Sequence, residues 1–176
     1  MTEIIAAWEE NSLKPFEKLK VHELGLKHPA VSVFVIQGNK LLLQQRAQTK
    51  YHSPGLWANT VCTHPHWGEN SKTCSIRRLS EELGINTLDL KFRGEIEYRA
   101  EVGNGLIEHE VVSVFVAVIS KDLDLFVNPN PEEVLSVRWL EFSKLREEIR
   151  LFPDRFTEWF KIYITQYSNE IFQKVF

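Results

Sequence analysis

Apolar positions along the chain follow two rhythms, the alternation of strands and the stripe of a helix. The valine-rich run Ala30 to Ile36 is followed by Gln37-Gly38-Asn39 and then by Lys40 to Gln45, and two such runs about a glycine-containing turn predict a β-hairpin. Leu90 to Val102 and Leu106 to Ile119 form a second pair of strands about Gly103-Asn104-Gly105, a strong turn signal. Asn70 can cap a helix that runs to Leu83 and stops at Gly84, with Ile76, Leu79 and Leu83 spaced to cover one apolar stripe. Arg77, Arg78, Glu81 and Glu82 then lie away from the core. A short strand, Ser136 to Leu140, precedes a helix from Ser143 to Glu148, and the C-terminal stretch bearing Phe152, Phe156, Trp159, Phe160, Tyr163 and Tyr167 reads as an amphipathic helix. The start of the chain, with Pro15, reads as irregular. Strands interleaved with few helices predict an α/β fold, a mixed β-sheet flanked by α-helices.

The second hairpin carries a geometric expectation. If Gly103 to Gly105 form its loop, Val102 faces Leu106, Ala100 faces Glu108 and Tyr98 faces Glu110, so two carboxylates and a phenol share one face. A solvated face would account for the acids. The dense apolar sequence after Val111 argues instead that the strand enters the interior where they sit.

Composition narrows the class. A chain of 176 residues, 43% hydrophobic and 26% charged, with no repeat or composition break, fits a single folded domain over 1–176. A net charge of −3 offers no strong positive field, so no nucleic-acid partner is expected. Cys62 and Cys74 are too few for a disulfide scaffold and suit a reducing compartment. The N-terminus lacks the pattern of a signal peptide, and the longest nearly apolar run, Val111 to Ile119, is well short of a membrane helix. The expectation is a cytoplasmic protein without membrane contact, a monomer or weak dimer.

From Arg46 to Trp67 the periodicity dissolves into a long irregular stretch, and such loops tend to be functional. His22, His28 and His64 are candidate ligands for a divalent metal, and Glu108 with Glu110 would complete a mixed nitrogen and oxygen shell. Five such ligands suit Mn, Fe or Mg better than a structural zinc. By spacing alone, dispersed histidines are more often surface or capping residues, which is how His52, His66 and His109 are read. Cys62 stands two residues before His64, either a small buried hydrophobe or a thiol made reactive by a cation. Cys74 is read as packing.

The most specific feature is Gly68-Glu69 followed by Arg77-Arg78-Leu79-Ser80-Glu81-Glu82-Leu83-Gly84-Ile85. It reads either as a solvent face laced by Arg77–Glu81 and Arg78–Glu82 pairs, or as Glu81 and Glu82 holding a metal bound to phosphate oxygens. The segment resembles the Nudix box, matching at Glu69, Arg77, Leu79, Glu81, Glu82, Gly84 and Ile85, and departing at Thr63, in place of the opening glycine, and at Arg78, in place of a catalytic glutamate.

The flanking sequence is similar to the type I isopentenyl-diphosphate isomerases, a Nudix branch that moves a double bond instead of hydrolysing a diphosphate. The resemblance runs from about Phe16 to Phe160 through Glu17-Lys18, His22, His28, Arg46-Ala47, Lys50, Pro54 to Pro65, Tyr98-Arg99-Ala100 and Glu108-His109-Glu110. Residues 1–15 have no match in it. It implies a Nudix-like sheet, a prenyl diphosphate as small-molecule substrate, and isomerisation through a tertiary carbocation. It places metal ligands on His22, His28, His64, Glu108 and Glu110, the catalytic residues on Cys62, Glu110, Tyr98 and Trp159, and diphosphate-binding cations on Lys18, Arg46, Lys50 and Arg78. It further implies one divalent metal, Mn, Mg or Zn, in the His/Glu site, and Mg held by Glu82 against the diphosphate. The competing expectations are a Nudix diphosphohydrolase of a prenyl or nucleotide diphosphate, and a silent ligand-binding module.

Overall fold

A computed structural model describes residues 3–173 and 175. The first hairpin forms as β3 (Lys27–Gln37) and β4 (Lys40–Arg46), the second as β7 (Lys91–Glu101) and β8 (Ile107–Ile119), with short strands β5 (Trp57–Ala58) and β6 (Val61–Thr63) inside the long loop and β9 (Val134–Glu141) near the C-terminus. The sheet runs β5-β4-β3-β8-β7, with β6 paired to β3 and β9 to β4. The β3–β8 pair is parallel and the other pairs of this sheet are antiparallel. β3 and β8 lie at its centre and bury both faces, which is why their sequences are nearly continuous apolar runs.

Each face has its own core. Helix α2 (Ser71–Leu83) covers one face through Cys74, Leu79 and Leu83 against Val31, Val33, Phe115 and Ala117. The other face is closed by α3 (Phe142–Leu151), α4 (Glu158–Gln166) and α5 (Ser168–Phe172), with Phe34, Trp159, Phe160 and Tyr163 at its centre. The caps of α2 are those its sequence calls for: the Asn70 side chain accepts from Lys72 N and Thr73 N, and Gly84 is left-handed at φ 67°.

Four expectations are corrected. The irregular start is a hairpin, β1 (Ile4–Glu9) with β2 (Ser12–Glu17), followed by helix α1 (Lys18–Leu24). Its turn puts Glu10 and Asn11 at φ 49° and 67°, a tight two-residue reversal made without glycine, so the usual signal is missing. Pro15 is tolerated because this hairpin stands outside the main sheet as a two-stranded ribbon. Ile76 does not join the buried stripe of α2 but is 42% exposed, Cys74 taking the inner position. Glu82 does not point away from the core; it is buried. Finally, the C-terminal stretch is two helices, broken at Tyr167, where φ −117° and ψ 11° leave the helical region.

Candidate active site

The site forms where several strand ends meet. The β7–β8 register pairs Tyr98 with Glu110 and Ala100 with Glu108, as the loop geometry requires. Both glutamates are buried, so their face is not solvated. The parallel β3–β8 pairing sets His28 beside Glu110, while β6 lies on the other side of β3 and brings in Cys62 and, just past its end, His64. Helix α1 supplies His22.

Three imidazoles and a carboxylate converge here. The Nε2 atoms of His28 and His64 are 3.2 Å apart, and Glu110 Oε1 is 2.9 Å from His64 Nε2 and 3.6 Å from His28 Nε2. Nδ1 of His22 and Nδ1 of His28 lie 2.7 Å from the carbonyls of Lys18 and Leu26. A carbonyl only accepts, so each Nδ1 carries a proton and each Nε2 is left as the ring atom facing the centre. Nε2 of buried His22 has no hydrogen-bond partner among the described residues. Burial lowers His22 to a pKa of about 4 and pushes His64 well down, so both rings are neutral. Imidazole nitrogens gathered around one carboxylate are the donor set of a divalent-metal site, and His22, His28, His64 and Glu110 have their ligand atoms within 4.8 Å of one another.

Glu108 lies in an adjoining group that shares His22. It groups with His22 and His52, its Oε1 being 3.6 Å from His52 Nε2. His52 is therefore no surface residue: it is 4% exposed, burial lowers it to a pKa of about 2, and its ring lies 5.7 Å from that of Trp159. The other two histidines read as surface or capping residues lie outside the cluster, His66 being exposed and His109 paired with Glu97 at the surface.

Tyr98 Oη links the acids, 2.9 Å from Glu108 Oε2 and 2.7 Å from Glu110 Oε2. Burial and the neighbouring charge of Glu110 push the Glu108 carboxyl well up. Burial acts the same way on Glu110, but the His28 and His64 rings set against it overcome this and hold the carboxyl well down. A phenol has one proton to give. With Glu108 neutral and Glu110 ionised, the Tyr98 hydroxyl donates to Glu110 and accepts from Glu108.

Cys62, Glu110, Trp159 and the four expected cations line one cavity. Cys62 keeps part of its surface open, yet burial of its sulfur, then Glu110 and Glu108, push the thiol pKa well up, so it rests protonated. Ser32 Oγ lies 3.3 Å from Cys62 Sγ and 3.1 Å from Tyr163 Oη. Trp159 is held by the bond from Thr157 N to Trp57 O, and Arg46 stacks 5.2 Å from its ring centre. Cys74 is buried packing.

Around the cavity mouth, Lys18 pairs with Glu3 at 3.0 Å and Lys50 with Glu133. Arg78 reaches Glu81 at 3.0 Å, Glu82 at 2.8 Å and Glu133 at 2.9 Å. Glu82 also accepts from Gln44 Nε2 at 2.8 Å. Reading the sequence misses His52, Gln44, Ser32, Tyr163 and Glu133. For His52 the loop itself was a signal; nothing in the spacing marks the others. Arg77 takes the structural reading, bonded to Glu69 through Nε and Nη2 at 2.7 Å each.

Comparison with known proteins agrees with this frame. The NUDIX domain model matches residues 26–160. A crystal structure of a Deinococcus radiodurans protein superposes with a TM-score of 0.71 at 14% identity, over 93% of this chain and 96% of that one. The MutT protein of Methanosarcina mazei Go1 gives 0.63 at 16% identity, over 82% and 94%. At such identities the likeness shows the fold, a Nudix α/β sandwich. More specifically, the isopentenyl-diphosphate Delta-isomerase of Rhodobacter capsulatus is 56% identical over 173 residues, 98% of this chain and 97% of that one. That of Cereibacter sphaeroides strain KD131 is 54% identical over 175 residues, 99% and 98%. The chain belongs to the isopentenyl-diphosphate Delta-isomerase family of NUDIX proteins. No helix among the described residues is long and apolar enough to cross a membrane.

Proposed function

We propose that the chain, acting as one Nudix-type isomerase domain, interconverts isopentenyl and dimethylallyl diphosphate through the residues gathered in this cavity. The observation that carries the reading is that Cys62 and Glu110 line the same cleft, where burial favours the proton on the sulfur and the neighbouring imidazoles favour the charge on the carboxylate. Shifting the double bond needs one proton delivered to the terminal methylene carbon and one removed from the carbon beside the new bond. Cys62 Sγ holds a proton at rest and Glu110 is free to accept one. The cation formed between the two steps is tertiary and flat. The Trp159 ring face stabilises it by about 2 kcal/mol in a desolvated site.

Glu110 is steadied by the Tyr98 hydroxyl, and neutral Glu108 behind Tyr98 gives a path by which protons are exchanged and the resting state restored. A divalent metal held by His22, His28, His64 and Glu110, of the Mn, Mg or Zn type, would fix the carboxylate and make its bound oxygen less basic. The reaction needs water kept from the cation, which it would otherwise trap as an alcohol.

Lys18, Arg46, Lys50 and Arg78 ring the mouth of the cavity and are the groups that would take the diphosphate, with Mg between it and Glu82. Binding there uses energy remote from the reacting carbons. The Arg78 guanidinium also ties up Glu82 and Glu81, the carboxylates a Nudix hydrolase would use to activate water. Incubating the protein with isopentenyl diphosphate and Mg in deuterated water should place label in the methyl group of dimethylallyl diphosphate, read by NMR. Release of phosphate or pyrophosphate without label would replace this reading with hydrolysis, and binding without label would make the chain a silent module.

A further inference from the structure

The charge balance at the cavity mouth is unusual for a site that takes an anion. Lys18, Arg46, Lys50 and Arg78 supply four positive charges. Glu3, Glu81, Glu82 and Glu133 already pair with them. Only Arg46 is held by neutral groups, the carbonyls of His52 and Ser53 at 3.1 and 3.2 Å. An incoming diphosphate therefore meets a cradle that is close to neutral, and seating it on Lys50 and Arg78 brings it against the carboxylates those cations already hold.

Glu133 is central to this balance. Its Oε2 touches both Lys50 Nζ and Arg78 Nη2, so one carboxylate bridges the two cations. It is not a mobile surface acid, because Ala47 N donates to Glu133 O at 3.0 Å and Glu133 N donates to Asn130 O at 3.0 Å, fixing the chain on both sides. Its neighbour Glu132 is exposed and pairs with none of the four cations.

We propose that Glu133 is a specificity-determining residue, a built-in anion that makes the cradle reject free diphosphate and accept it only as a complex with a divalent cation. The free anion must compete with Glu133 for Lys50 and Arg78. A divalent cation carried with it reverses that repulsion, since it attracts the same carboxylate. This rests on the placement of the diphosphate proposed above.

The test is calorimetric titration of the full chain with inorganic pyrophosphate, once in EDTA and once in Mg2+. Wild type should bind the Mg2+ complex far more tightly than the free anion. Glu133→Gln should bind metal-free pyrophosphate about tenfold more tightly than wild type, shrinking the Mg2+ dependence by a similar factor. Glu133→Asp, which keeps the charge, and Glu132→Gln, which removes a charge that pairs with neither cation, should both retain the wild-type ratio. An unchanged ratio in Glu133→Gln overturns the proposal, as does weaker binding in both conditions, which would make Glu133 merely a brace for Lys50 and Arg78. If wild type binds pyrophosphate in neither condition, the diphosphate assignment itself fails.

Discussion

Replacing Tyr98 with phenylalanine removes one oxygen atom from the centre of the site and little else. The ring is buried and meets Tyr163 edge-on at 5.8 Å, a contact phenylalanine keeps. What is lost is the hydroxyl lying 2.7 Å from Glu110 and 2.9 Å from Glu108. A hydrogen bond to a charged group contributes about 1.5–3 kcal/mol. If the whole of it serves to hold the Glu110 carboxylate in line for proton transfer, kcat falls about 10- to 150-fold at 1.36 kcal/mol per decade. The basic residues at the mouth do not touch Tyr98 Oη, so KM should stay near wild type, the signature of an interaction made at the reacting centre. Steady-state isomerisation followed by NMR, with thermal melting as the check on folding, separates these effects. A variant that turns over at the wild-type rate, or one whose loss lies wholly in KM, would refute the Glu108–Tyr98–Glu110 chain as part of the proton path.

Cys62→Ala should abolish turnover while leaving a cooperative melt, because the residue is half-buried and packs only at the margin of a core; near-normal activity would remove the thiol from the mechanism. Arg78→Glu should weaken pyrophosphate binding by an order of magnitude or more, since it reverses a charge beside Glu82 and Glu133, and titration calorimetry would expose an unchanged affinity. The Arg77 guanidinium holds Glu69 down at a pKa of about 2. A carboxyl depressed in the folded state stabilises it above the unfolded pKa of about 4.3 and loses that contribution as pH falls toward 2. After allowance for solvent screening, about 1 kcal/mol should disappear over that window, and acid unfolding of Arg77→Ala should lack this component.

Local rules were enough for much of the framework. A three-residue turn with glycine at both ends fixes the register of β7 on β8, and register alone sets Tyr98 opposite Glu110. The caps of α2 follow in the same way from Asn70 and Gly84. The β1–β2 hairpin stayed hidden because Glu10 and Asn11 adopt positive φ without the glycine that usually announces it. Glu82 reads as a solvated helix position because periodicity measures apolar stripes, while its partners are Arg78 one turn back on α2 and Gln44 brought in on β4. His52 lay in an aperiodic loop, where spacing says nothing about direction.

By itself the chain determined which residue types stood ready and which strands would pair, since turn chemistry and the two-residue alternation of strands are properties of neighbours. Only the tertiary structure decided protonation and partnership. Glu108 and Glu110 are chemically alike and two positions apart, yet one is held neutral and the other ionised. The difference comes from His28 and His64, brought to Glu110 from other strands, for a carboxyl in a dry interior takes its charge from whatever the fold sets against it.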